Sequence, residues 1–87
     1  MTINDTEKYD RFVDAIKLSL IRWRDGGVRD FAVIANKLGI SERTARRRFN
    51  TPGTLTLDEL YAWCELYGKD PAAVLLQAFA EAGRDRQ

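Results

Sequence analysis

Apolar residues recur along this chain at three- and four-residue intervals, and five stretches carry that helical spacing. In the first, Tyr9, Phe12, Val13, Ile16, Leu20 and Trp23 share one face, which predicts a helix from about Asp5 to Arg24. Asn4 is its expected N-cap, Glu7 the matching capping-box residue, and Gly26-Gly27 its stop. A short second helix runs from Phe31 to Leu38, with Asp30 to cap its free N–H groups and Ile34, Ala35 and Leu38 on its inner face. Gly39 follows, where a left-handed C-terminal cap costs least. Only Leu38-Gly39-Ile40 separates this helix from the next N-cap, Ser41, and the third helix runs to about Asn50.

After a Thr51-Pro52-Gly53 turn, Thr56 and Glu59 form a second capping box, with Leu55 and Leu60 placed as a hydrophobic staple. The fourth helix is expected from Leu57 to Tyr67, ending at Gly68. Asp70-Pro71 is an N-cap followed by a proline at the first helical position. The fifth helix runs from there to about Ala82, and Gly83 to Gln87 is expected to be a frayed tail. The expectation is therefore an all-α, five-helix fold in a single domain over residues 1–87.

Composition narrows the function classes. There is no histidine and one cysteine, Cys64. The commonest general acid or base and the commonest metal ligand are thus absent, and a zinc site would need unusual ligands. No Gly-rich phosphate loop, G-x-S-x-G elbow or H-E-x-x-H is present. The expectation is a protein that is not an enzyme and that uses no cofactor, metal or small-molecule ligand. No apolar run approaches the roughly 18 residues of a membrane helix. The acidic, polar start MTINDTEKYD does not read as a signal peptide. A lone cysteine fits a reducing cytoplasm. Cys64, in line with Leu60 and Tyr67, reads as a small buried hydrophobe. Trp23 and Trp63 sit at helical apolar positions, which makes them packing residues rather than base-stacking platforms.

Charge changes the picture most. The net charge is only +1, but it is unevenly spread: residues 1–27 sum to 0, residues 28–50 to +4 and residues 51–87 to −3. The excess lies in "LGISERTARRRF", where Arg43, Arg46, Arg47 and Arg48 follow the Gly39 turn. Arg43, Arg46, Arg47 and Asn50 fall on one side of the third helix, opposite Ala45 and Phe49. Two short helices joined by a tight Gly turn are the helix-turn-helix unit, whose second helix enters the major groove of DNA. Phosphates and guanine edges of duplex DNA are the simplest negative partner for such a helix. A solvated helix face is the alternative reading of the same cluster.

The run "DFAVIANKLGISERTARRRFNTPGTLTLDELYAWCELYGKDPAAVLL" resembles the Cro/C1-type, or lambda-repressor-like, DNA-binding domain. The resemblance covers about residues 28–76. It rests on the order and spacing of Ile34-Ala35, Leu38-Gly39-Ile40-Ser41, Leu57-x-x-Leu60, Asp70-Pro71 and Val74-Leu75. It implies a five-helix DNA-binding domain of a phage or bacterial transcription regulator, usually dimeric and cytoplasmic, here a small repressor that occupies an operator. Carried over by position, Ala35 lets the second and third helices approach, and Ile34, Leu38, Ile40 and Ala45 pack inside. Ser41, Glu42, Arg43, Arg46 and Arg47 face the groove, and Asn50 sits near the backbone. Arg29, Lys37, Arg48, Thr51 and Thr54 are candidate phosphate contacts. Glu42 reads either as a base reader or as a favourable acid in the first turn.

Two positions depart from the family pattern. Phe31 stands where a phosphate-touching Gln is common, and Arg48 where an aliphatic residue is usual. Either Phe49 supplies the packing and the Arg48 head escapes to water or phosphate, or the helix is slightly rotated. Finally, the fifth helix is apolar over most of its circumference. Val74, Leu75, Ala78 and Ala82 suit the core, while Ala72, Leu76, Phe79 and Gly83 form a second stripe. Leu76 and Phe79 are the expected contacts of a homodimer, unless the first helix covers them. The alternative function is a protein–protein adaptor, such as the antitoxin half of a toxin–antitoxin pair.

Overall fold

The computed structural model describes residues 3–83, and the expected frayed tail beyond Gly83 lies outside them. The described chain is all-helical: α1 (Ile3–Gly26), α2 (Phe31–Leu38), α3 (Glu42–Asn50), a single 3-10 turn (Pro52–Thr54), α4 (Leu57–Leu66) and α5 (Pro71–Ala82). None of these helices is long and apolar enough to cross a membrane.

Local capping chemistry sets most of the boundaries. Asp30 accepts from Ala32 N at 2.9 Å, Ser41 from Thr44 N at 3.1 Å and Asp70 from Ala72 N at 3.1 Å. Thr56 and Glu59 complete the full capping box at α4. Two helices end in the same left-handed motif. At α2, Gly39 has φ 73°, its N–H reaches Asn36 O, and Ile40 N–H reaches Ala35 O. At α4, Gly68 has φ 68°, its N–H reaches Glu65 O, and Lys69 N–H reaches Cys64 O. A Cβ in that backbone region is strained, so glycine makes each turn tight at little cost. α1 departs from expectation at both ends. It begins at Ile3, so Asn4 lies inside the helix rather than at its N-cap, and it continues through Gly26.

The core joins all five helices: Ile16 and Leu20 of α1, Phe31, Ile34 and Ala35 of α2, Ala45 of α3, Leu60, Trp63 and Cys64 of α4, and Ala78 of α5. Ala35 and Ala45 are both buried, and their small side chains let α2 and α3 pack closely across the Gly39 turn. Leu38, Ile40 and Phe49 pack against the same core. Trp63 is fully buried, and Trp23 is half-buried with its ring tilted against Tyr67 at 5.8 Å. Burial pushes the Cys64 thiol up, away from the reactive thiolate. The Tyr67 hydroxyl, also pushed up by burial, donates to Val28 O at 2.6 Å and ties the α1–α2 loop to α4.

α1 lies along α5, while α2 packs on both α3 and α4. This leaves the outer face of α3 uncovered. On the α1–α5 side, the Phe79 ring stacks on Phe12 at 4.8 Å. Even so, Phe79 is 61% exposed and Leu76 69% exposed, so α1 leaves both largely uncovered.

Candidate nucleic-acid interface

α3 is nine residues long and depends on its ends. Ser41 Oγ accepts from Thr44 N and donates to Thr44 Oγ1 at 2.9 Å, and Glu42 supplies the acid of the first turn. Ala45 is buried, and Thr44, Arg48 and Phe49 are half-buried. These inner positions fix the helix rotation. Glu42, Arg43, Arg46, Arg47 and Asn50 are therefore brought together on the exposed face, with Ser41 at its N-terminal edge.

The four arginines are not equivalent. Arg43 and Arg47 are exposed, and among the described residues their guanidinium groups have no ion pair or hydrogen bond. Arg46 is exposed but held: its Nη2 donates to Glu42 Oε2 at 2.9 Å, and its Cζ lies 4.7 Å from the centre of the Phe31 ring. That geometry resolves Glu42 as a partner of Arg46 as well as a first-turn acid.

Arg48 corrects the expectation from the sequence. Its head does not escape to water or phosphate. Its Nε donates to Glu59 Oε1 at 2.9 Å, with the two side chains 21% and 9% exposed. The same carboxylate oxygen accepts from Thr56 N at 3.0 Å. An arginine is accommodated at this half-buried position because α4 offers it a buried carboxylate that is already part of a capping box. The surface excess of charge is accordingly smaller than the count of arginines suggests.

The other candidate phosphate contacts are also partly engaged. Lys37 pairs with Glu65 at 3.4 Å, an exposed pair that adds little stability and yields readily. Arg29 donates from Nη2 to Asp25 O at 3.0 Å, at the end of α1. Thr51 donates its hydroxyl proton to Arg47 O at 2.8 Å, and Thr54 donates to Thr51 O at 2.7 Å. In this rotamer each hydroxyl has only lone pairs left, and a phosphate oxygen requires a donor.

Two residues of the site, Lys17 and Arg24, were not singled out from sequence. Lys17 of α1 donates to Asn50 O at 3.1 Å, placing a positive charge at the negative end of the α3 dipole. Arg24 of α1 has its Cζ 4.4 Å from the Phe31 ring centre and 5.5 Å from that of Phe49, while its Nε donates to Arg29 O at 2.9 Å. Phe31 itself is buried beneath the guanidinium groups of Arg24 and Arg46 and meets Phe49 edge-on at 5.4 Å. Lys17 and Arg24 are seven residues apart, hence on one face of α1, but nothing in the sequence says which helix that face meets.

A large hollow lies elsewhere. It is an open groove of about 1010 Å³ between α1 and the α4–α5 side, bordered by Arg11, Trp23, Tyr67 and Lys69 and by no residue of α3. Among the described residues no cluster of His, Cys, Asp or Glu could hold a metal ion. No protein-family model, curated protein or solved structure matches this chain.

Proposed function

We propose that this protein binds duplex DNA sequence-specifically through a lambda-repressor-like helix-turn-helix formed by α2 and α3, and regulates transcription by occupying an operator. The observation that carries this reading is the exposed face of α3: Arg43, Arg46, Arg47 and Asn50 side by side on a short capped helix, after the left-handed turn at Gly39. Arg43 and Arg47 are available to phosphates or guanine edges without breaking any pair among the described residues, and Lys17 extends the basic surface onto α1. The mechanism is steric coverage of a promoter.

Selection of bound sites from random duplex DNA at two salt concentrations tests the proposal. One enriched motif is expected, with log K falling linearly in log salt by about 0.9 per phosphate neutralised. Absence of enrichment at low salt rejects it.

The same reading includes a homodimer through α5. Its support is the exposed Leu76 and Phe79 of α5, with Phe79 stacked on Phe12, which also lines an apolar pocket of about 160 Å³ bordered by exposed Tyr9 and Leu57. A two-fold dimer would present two α3 helices to half-sites about one DNA turn, roughly 34 Å, apart. Sedimentation at micromolar concentration is expected to give a dimer for wild type and a monomer for Phe79→Glu. A wild type that stays monomeric both free and on DNA, at one copy per site, removes the dimer. That apolar surface also favours a second reading, a protein–protein adaptor such as an antitoxin. Such a module would bind its partner with Arg43 and Arg47 replaced by alanine.

A further inference from the structure

Among the described residues, only Arg46 of the three outward-facing arginines of α3 is held, and it is held from two sides. Below it lies the Phe31 ring, 4.7 Å from its Cζ and only 6% exposed. Beside it lies the Glu42 carboxylate, 2.9 Å from Nη2. The ring attracts the cation through its quadrupole and fixes the height of the guanidinium above the protein surface. The carboxylate one turn earlier fixes the direction of one N–H edge. The ring is anchored in turn. Phe31 is the first residue of α2, locked by the Asp30 cap, and the Arg24 guanidinium of α1 sits over it at 4.4 Å. Two like charges drawn to one ring would repel each other. Glu42 beside Arg46, and the Arg29 carbonyl beside Arg24, offset that cost.

We propose that Phe31 is a positioning residue for Arg46, and that Phe31 and Glu42 together make Arg46 the position at which this protein discriminates a guanine. The inference rests on the DNA-binding reading above. Arginine recognises guanine O6 and N7 with two parallel N–H bonds, so the plane of the group must be aimed, not merely near. An arginine free to sample rotamers must be ordered on binding, at a cost in affinity that one already ordered avoids. Arg43 and Arg47, which lack such supports, serve as general anion contacts.

Two readouts separate the positioning claim from the DNA-binding claim. In the free protein, the Arg46 Nε–Hε resonance is expected to be resolved and shifted by the Phe31 ring current. Phe31→Tyr keeps that shift, and Phe31→Leu moves the resonance to the position of an exposed arginine. On DNA, Phe31→Leu should lower the ratio of specific to non-specific affinity by roughly three- to fivefold, the scale of an exposed cation–π contact. The loss should fall at one base pair, leave the salt slope unchanged and be absent in Phe31→Tyr. Glu42→Ala, at an exposed position that does not threaten the fold, should relax specificity at the same base pair. An Arg46 resonance indifferent to Phe31→Leu, or unchanged base preference in both Phe31→Leu and Glu42→Ala, overturns the proposal while leaving DNA binding intact. A wild type that binds no duplex overturns both, whatever the resonance does.

Discussion

Replacing Glu59 with alanine lowers the melting temperature of this domain by about 12–24 °C, the equivalent of about 3 kcal/mol for a chain of this size. The side chain is 9% exposed, and its Oε1 accepts from both Arg48 Nε and Thr56 N. Removing it leaves the Arg48 guanidinium, itself 21% exposed, beside an apolar gap, and it opens half of the α4 capping box. Breaking a fully buried pair costs about 3–5 kcal/mol. The partial exposure of Arg48 places the ion-pair loss below that range, at about 2 kcal/mol, and the missing capping bond contributes about 1 kcal/mol more. Arg48→Leu is expected to cost less, about 2 kcal/mol, because Thr56 N still partners the carboxylate. The double variant Arg48→Leu, Glu59→Ala should cost much less than the sum of the two single losses, since no unpaired charge remains buried. Thermal unfolding followed by circular dichroism decides it through a double-mutant cycle. Additive losses with no coupling would show that the pair does not act as a unit.

The second large effect is on binding. Arg43→Ala, Arg46→Ala and Arg47→Ala are each expected to weaken DNA binding while leaving the fold intact: all three are exposed, so Arg43→Ala and Arg47→Ala shift the melting temperature by less than about 4 °C, and Arg46→Ala, which also gives up the Phe31 contact, by somewhat more. The two kinds of arginine should differ in kind. Arg46→Ala costs roughly 1–3 kcal/mol on the preferred site and relaxes one base pair. Arg43→Ala and Arg47→Ala weaken all sequences alike and reduce the salt slope by about 1 each. The triple variant should show no measurable preference for the selected site. Titrations of specific and scrambled duplexes at three salt concentrations separate these outcomes. Wild-type affinity in all three single variants would remove α3 as the recognition helix.

Helix positions and caps were legible in the sequence because they are local. Asp30, Ser41, Thr56 with Glu59, and Asp70 bond to N–H groups two or three residues away, so residue type and spacing carry the information. The glycines at 39 and 68 were legible for the same reason, since a left-handed turn needs no distant partner. The arginine-rich outer face of α3 followed from periodicity once the inner positions were read as Ala45 and Phe49. Only the tertiary structure could decide which of those arginines are engaged. Arg48 meets Glu59 across 11 residues, Lys17 meets Asn50 across 33, and Phe12 meets Phe79 in a ring stack between α1 and α5. A guanidinium is equally content in water, on a phosphate or against a buried carboxylate. Its environment depends on how helices far apart in the chain are docked, and charge and spacing along one helix do not encode that docking. The sequence thus determined the elements, their caps and a basic helix face. Packing of α1 and α4 around α2 and α3 decided which charges on that face are paired, which are held in place and which are free.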